Sequence, residues 1–337
     1  MDRGTGPAAS GVRVGPVDPN RLLDATERLV SASVPSDMGP GALTNAARAF
    51  VEQANNHGLD ISRMFATTTE NGAARQVSLA VPSPGRTASV FVSGPGHAPR
   101  CGQPETQARE RAESLECCWE SVSTEPGTPI KLLQALPTSD EQWFAEALDR
   151  ASFTRVGELA YMKREMGPRE RPNEESPLGE LPPGVTCRSA RALGAGADAA
   201  VVRALDASYV GTLDCPKLCG LRETSDVLES HKRSGVCDLS AWHILLEDDT
   251  PKGCMLLNRV PEQDAVELVY IGLGPSLRGR GIAGLLLNEA VRHTLRVGAA
   301  RLTCAVDRAN SPALRLYASR RFEPFASRLA FVRPVRQ

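Results

Sequence analysis

The stretch AVELVYIGLGPSLRGRGIAGLLL, residues 265–287, decides how the chain is read. Ala265 to Leu273 is a run of aliphatic, β-branched and aromatic residues, the composition of a strand. From residue 284 onward GLLLNEAVRHTLRV is strongly apolar and long enough for a helix. Between them lies Arg278-Gly279-Arg280-Gly281-Ile282-Ala283-Gly284. A strand, a glycine-rich turn and a helix in that order aim several backbone N–H groups and a helix N-terminus at one spot. There the macrodipole favours an anion. Glycine lets the backbone approach a phosphate closely, and two arginines add charge-assisted donors.

Two motifs share these residues. Gly279, Gly281 and Gly284 satisfy G-x-G-x-x-G, and Asp307 follows about twenty residues on, as in a dinucleotide-binding fingerprint. Position argues against that reading. The fingerprint opens its domain directly after a first strand, whereas Gly274 to Arg278 intervene here. Only 53 of the 337 residues remain after Gly284, too few for the rest of a doubly wound sheet.

The second motif is Arg278-x-x-Gly281-x-Ala283, which resembles the pyrophosphate loop of the GNAT N-acetyltransferase superfamily. The resemblance runs on through RLTCAVDRANSPALRLYASRRFEPF, with its Asn-x-x-Ala-x-x-Leu-Tyr helix and a Phe turn, and covers roughly residues 242–332. Arg321 stands where the family usually has glycine before the Phe. The resemblance implies an acetyl-CoA-dependent N-acetyltransferase working by direct attack of an amine within a ternary complex. Its alternatives are a protein N-terminal or lysine acetyltransferase and a non-catalytic acyl-CoA-binding module.

The family pattern then assigns roles. Ile271, Gly272 and Leu273 would lie along the pantetheine arm, and the N–H groups from Arg278 through Gly279, Arg280, Gly281, Ile282 and Ala283 to Gly284 would hold the pyrophosphate. Tyr317 would be the acid that protonates the leaving thiolate, and Glu267 the base for the amine. Along a strand, residues 267, 269, 271 and 273 share one face. Asn310, followed by Ser-Pro, reads as an N-cap that also reaches the cofactor arm. For the acceptor amine, Tyr209, Asp214 and His231 are polar residues in the right region without a motif behind them.

The chain also repeats itself. Leu159-Ala-Tyr-Met-Lys-Arg and Leu329-Ala-Phe-Val-Arg recur 170 residues apart, each after a strand-like run, a helical run and a Phe. A period this long indicates a domain duplication. The first copy has lost the Arg-x-x-Gly-x-Gly register and carries Leu148 in the place of Tyr317. The expectation is an α/β (α+β) fold of two tandem GNAT-like domains, each a mixed, mostly antiparallel sheet flanked by helices. The segments are a flexible tail over 1–18, a degenerate domain over 19–165, a Pro/Glu-rich linker over 166–184 and a catalytic domain over 185–337.

Composition narrows the partners. A net charge of −1 makes no demand for nucleic acid. No run of 18 apolar residues exists and the start lacks a signal-peptide core, which leads to the expectation of a cytoplasmic protein with no membrane partner. Nine cysteines are present, yet Cys215 and Cys219 are the only close pair besides Cys117-Cys118. No second pair or His spacing completes a zinc site, so no metal is expected.

Overall fold

The computed structural model describes residues 12–34, 39, 41–56, 58–59, 61, 63–69, 71–96, 101–124, 130–167, 170 and 178–335. They form two compact units, residues 1–155 with 329–337 and residues 156–328.

In the first unit, strands β1 (Arg13–Pro16), β2 (Met64–Thr68), β3 (Ala74–Ser83) and β4 (Thr87–Val92) pair antiparallel in that order. Strand β5 (Leu132–Ala135) then runs parallel to β4, with Thr87–Ser89 opposite Leu132–Gln134. Helices α1 (Leu22–Val30) and α2 (Ala42–Asn56) cover one face, packing on Met64, Ala66, Val77 and Leu79. Helices α3 (Pro104–Thr124) and α4 (Gln142–Arg150) cover the other, over Phe65, Ala80, Val90 and Leu133. Adjacent strand residues such as Met64 and Phe65 thus enter opposite cores, as the pleat requires.

In the second unit the same plan returns. Strands β6 (Thr154–Glu165), β7 (Val185–Ser189), β8 (Val236–Cys237), β9 (His243–Glu247), β10 (Thr250–Val260), β11 (Ala265–Leu273) and β12 (Arg301–Asp307) are joined by helices. These are α5 (Ala190–Leu193), α6 (Ala197–Tyr209), α7 (Thr224–Arg233), α8 (Ile282–Arg296) and α9 (Ser311–Ser319). The order β7-β9-β10-β11-β12 repeats β1-β2-β3-β4-β5, and β11 runs parallel to β12 as β4 does to β5. Helices α6 and α7 pack on Trp242, Ile244, Leu246 and Leu256, while α8 packs on Leu245, Met255, Leu257 and Val266.

The strand beyond β12 is β6, with Leu159–Glu165 antiparallel to Arg301–Asp307. The strand beyond β5 is the end of β13 (Glu323–Pro334), where Phe331–Pro334 pairs with Leu132–Ala135. The boundaries 19–165 and 185–337 keep each Leu-Ala-aromatic segment with the half it follows. The compact units hold them the other way round.

The tail expected over 1–18 differs in part. Arg13–Pro16 pairs with β2 as an edge strand, because the backbone groups of β2 offer a partner that local composition does not reveal. Residues 1–11, and residues 168–169 and 171–177 of the linker, lie outside the described residues. Among the described residues no helix is long and apolar enough to cross a membrane. All nine cysteines are free thiols.

Candidate active site

The glycine-rich loop takes the conformation its residues suggest. Gly279 and Gly281 have φ of +73° and +78°, left-handed values that L side chains rarely adopt. Open space surrounds both, since a Cβ on either would meet nothing within 4 Å. Gly281 is the N-cap of α8 and, lacking a side chain, gives the helix no capping bond. Among the described residues, the N–H groups of Gly279, Arg280, Gly281, Ile282 and Ala283 have no acceptor within the chain. Five consecutive free donors at the start of a fifteen-residue helix form a nest for an anion.

The two arginine side chains do not contribute to that nest as the sequence suggests. Arg280 forms an ion pair with Glu247 at 2.9 Å and donates to the Pro183 carbonyl. Arg278 donates Nε to the Leu273 carbonyl and its two terminal nitrogens to the carbonyls of Ser208, Val210 and Gly211. It therefore pins the chain leaving α6 to the end of β11. A guanidinium bonded to carbonyls at a helix C-terminus also complements the negative end of that helix.

The cleft arises from the sheet. Only Ala265–Glu267 of β11 pairs with Arg301–Thr303 of β12, after which the two parallel strands part. The gap widens into a cavity of about 430 Å³. Its walls include Leu268 to Leu273 on β11, Ala305 and Val306 on β12, Asn310 and Tyr317 at α9, Ser208 and Tyr209 at the end of α6, and Gly211 to Asp214 after it. Asn310 caps α9 through a bond accepted from the Ala313 N–H at 3.3 Å, with Pro312 in the first turn. Tyr317 is 4% exposed, with its ring 5.3 Å from that of Phe322. Burial, with the neighbouring Cys304 and Asp214, raises its pKa well above 10, so the phenol keeps its proton.

Glu267 requires a correction. Leu256 pairs with Tyr270 and Leu257 with Leu268, which leaves Val269 as an extra residue on β11. Such a bulge interrupts the alternation. Val266 and Leu268 face α8, Val269 and Tyr270 face α6 and α7, and Ile271 and Leu273 face α8 again. Glu267 therefore lies on the face opposite Ile271 and Leu273, not on a face shared with them. It sits at the last ladder pair before the strands part, and its carboxylate accepts a bond from Ser234 Oγ at 2.6 Å. It is not among the residues lining the cavity.

Gly272 also has a reason other than approach of a ligand. A Cβ there would stand 2.5 Å from the Tyr270 hydroxyl and 2.8 Å from Ser208 Cβ. Its absence lets Tyr270 lie along the strand and bond Ser208 Oγ at 2.7 Å. Of the polar residues singled out for the acceptor, Tyr209 and Asp214 line the cavity. His231 instead lies against Tyr270 with the rings tilted and their centroids 5.6 Å apart; among the described residues its Nε2 has no partner, and burial lowers its pKa to about 4.

Asp214 and Asp307 are joined in a way no local spacing announces. The Asp307 N–H donates to Asp214 Oδ1 at 2.7 Å, and the Cys215 N–H donates to Asp307 Oδ2 at 3.1 Å. With Arg278, these bonds make residues 208–215 a strap tied to the ends of both parted strands.

In the first unit the segment after β4 is packed shut instead. Buried Arg111 donates to the carbonyls of Ser93 and Gly94, and buried Arg28 to that of Gly94. A Cβ on Gly94 would lie 2.3 Å from Ala32 Cβ. Leu148, in the place of Tyr317, is a fully buried core residue.

These features define a class: tandem α/β domains, of which the second has parted parallel strands beside an anion-binding helix start. Residues 214–322 match the model of the acetyltransferase (GNAT) family. No curated protein matches the chain in sequence. Many solved structures match its fold, among them the following two. A GCN5-related N-acetyltransferase from Sphaerobacter thermophilus has a TM-score of 0.54 at 16% identity, covering 97% of this chain and 96% of its own. The glucosamine N-acetyltransferase region of a fungal multi-domain beta-N-acetylglucosaminidase has a TM-score of 0.56 at 11% identity, covering 96% of this chain and 38% of that one. The second half of the chain thus carries a segment of the acetyltransferase (GNAT) family, and nearly the whole chain shares the fold of a GCN5-related N-acetyltransferase.

Proposed function

We propose that the second unit transfers an acetyl group from acetyl-CoA to a primary amine by direct attack within a ternary complex. The observation that carries this reading is the cavity between β11 and β12, with Arg278 in its wall and the free N–H groups of residues 279–283 following Arg278 in the chain. The loop fits a pyrophosphate: it offers unsatisfied donors, glycines with open space, and the positive end of a helix. Backbone groups of Ile271 to Leu273 have lost their β12 partners and can pair with an extended amide arm much as a strand would. Asn310, on the cavity wall, closes the other side.

Tyr317 has the position and protonation state of an acid. Its neutral phenol supplies the proton that the departing thiolate needs once the amine nitrogen has bonded to the acyl carbon. A thiolate is a fair leaving group, so one placed donor suffices. The buried thiol of Cys304 beside it has its pKa pushed up to about 12, chiefly by burial. That keeps it a thiol and argues against a covalent acyl-cysteine route. Glu267 remains a candidate base only through water, given its place on the far face.

The test has two stages. Acetyl-CoA should raise the melting temperature by mass action, and NADH should not. A panel of primary amines (glucosamine, tyramine, spermidine and a peptide with a free N-terminus) is then assayed for CoA release. Tyr317→Phe keeps the ring, so acetyl-CoA binding should persist while turnover falls by roughly 10²–10⁴. A melting shift with NADH alone would sink the reading. Full turnover in Tyr317→Phe would remove the phenol as the acid. Binding without turnover of any amine would leave an acyl-CoA-binding module.

A further inference from the structure

We propose that Asp214, on the strap across the cavity, receives the ammonium group of a cationic acceptor and takes its proton before acyl transfer. The inference rests on the acyl-transfer reading above and deepens it, because it names a base within the cavity and a charge for the acceptor.

Among the residues lining the cavity Asp214 is the sole carboxylate, and Arg278, the sole cation there, is bonded to backbone carbonyls. The remaining wall is largely apolar: Leu268, Val269, Ile271, Leu273, Val306 and Ala313. An ammonium group entering this space finds one anionic partner. The carboxylate is held for the purpose. Oδ1 accepts the Asp307 N–H at 2.7 Å, and the Asp214 N–H is fixed on Thr212 Oγ1 at 3.1 Å. Among the described residues Oδ2 takes no donor, and Asp214 is exposed.

The surrounding groups favour a base of raised affinity for protons. The protein around Asp214 removes water from it, and Asp307 on β12 adds a like charge, so its pKa rises although the Asp307 N–H pulls the other way. The other titratable groups facing it are Tyr270 from β11, Cys304 from β12, Tyr317 from α9 and Cys215 on its own strap, all with raised pKa values and so uncharged. Asp214 is exposed and lines the cavity, so its carboxylate stays within reach of an entering ammonium group.

The protons balance. One passes from the ammonium nitrogen to Oδ2, freeing the lone pair that forms the new C–N bond. The second leaves that nitrogen as the amide forms, matched by the proton Tyr317 gives to the thiolate. Asp214 then returns its proton to water, so the net products are amide, free thiol and one proton.

Asp214→Asn tests this with the backbone tie intact, because the amide oxygen still accepts the Asp307 N–H. In the full-length protein, acetyl-CoA should raise the melting temperature of variant and wild type alike. Against a reacting amine of the panel, the variant should lose about 10²-fold or more in kcat/KM at pH 7. That loss should shrink as pH rises past the amine's own pKa, where no base is needed. Asp214→Glu should restore part of the rate. Loss of equal size at every pH, or no loss, would overturn the proposal. If no amine reacts, the acetyl-CoA-loaded wild type should still melt higher with an amine of the panel and Asp214→Asn should not. Absence of that shift for every amine also overturns it. Failure of acetyl-CoA itself to bind would instead strike the acyl-transfer reading beneath.

Discussion

Arg321 has φ of +63°, and Ser152 at the matching place in the first unit has +58°. Both stand directly before the Phe that follows a helix. The turn therefore demands a left-handed residue in each copy, and the sequence supplies a side chain where glycine would be unstrained. Arg321 is well exposed and its ion pair with Glu170 spans 3.5 Å, a contact worth little at a surface. Arg321→Gly should therefore stabilise the protein, by about 1 kcal/mol. Equilibrium denaturation would show it as a higher midpoint at unchanged slope. An unchanged or lower midpoint would mean that the arginine makes a contribution outweighing the backbone cost.

At the scale of elements, the end of β13 carries more than its place in the sequence suggests. Leu329, Phe331 and Val335 belong to the core of the first unit, alongside Leu115, Leu133 and Leu148. Arg333 lies over the Trp119 ring at 4.0 Å and bonds Glu116 at 2.8 Å. Phe331 is 2% exposed, so Phe331→Ala should cost about 3–5 kcal/mol. The cost should fall on the first unit. Hydrogen exchange should quicken in residues 64–92 and 132–135 before it does in residues 243–273. Faster exchange confined to the second unit would contradict the assignment of 329–337 to the first.

For the whole molecule, acid is the predicted weakness, and it lies in the second unit. Burial and the Arg222 charge lower the pKa of His231 to about 4, and burial chiefly lowers those of His243 and His293. A histidine with a depressed native pKa gives stability that is present above its unfolded value near 6.5. It is lost as pH falls through the native value, because the unfolded chain binds the proton first. Between pH 6.5 and 4 His231 alone should remove on the order of 3 kcal/mol. Melting curves across that window should fall steeply for wild type and less for His231→Phe, which retains a ring against Tyr270. Identical slopes for the two would place the acid sensitivity elsewhere.

Much of this protein is legible in residues 265–320. Apolar runs, a glycine-rich turn and an Asn-Ser-Pro cap are local signals, and local physics places β11, α8, β12 and α9 where the sequence indicates. The long-period repeat likewise announces two similar sheets. Three features come only from the tertiary structure. The extra residue at Val269 turns Glu267 to the far face, because strand alternation counts residues that a partner strand can leave unpaired. The Leu-Ala-aromatic strands complete cores remote from them in sequence, since a strand's pairing depends on which sheet edge it meets. Asp214 becomes a cavity carboxylate through a bond to Asp307, 93 residues away, and burial rather than sequence spacing sets its affinity for protons.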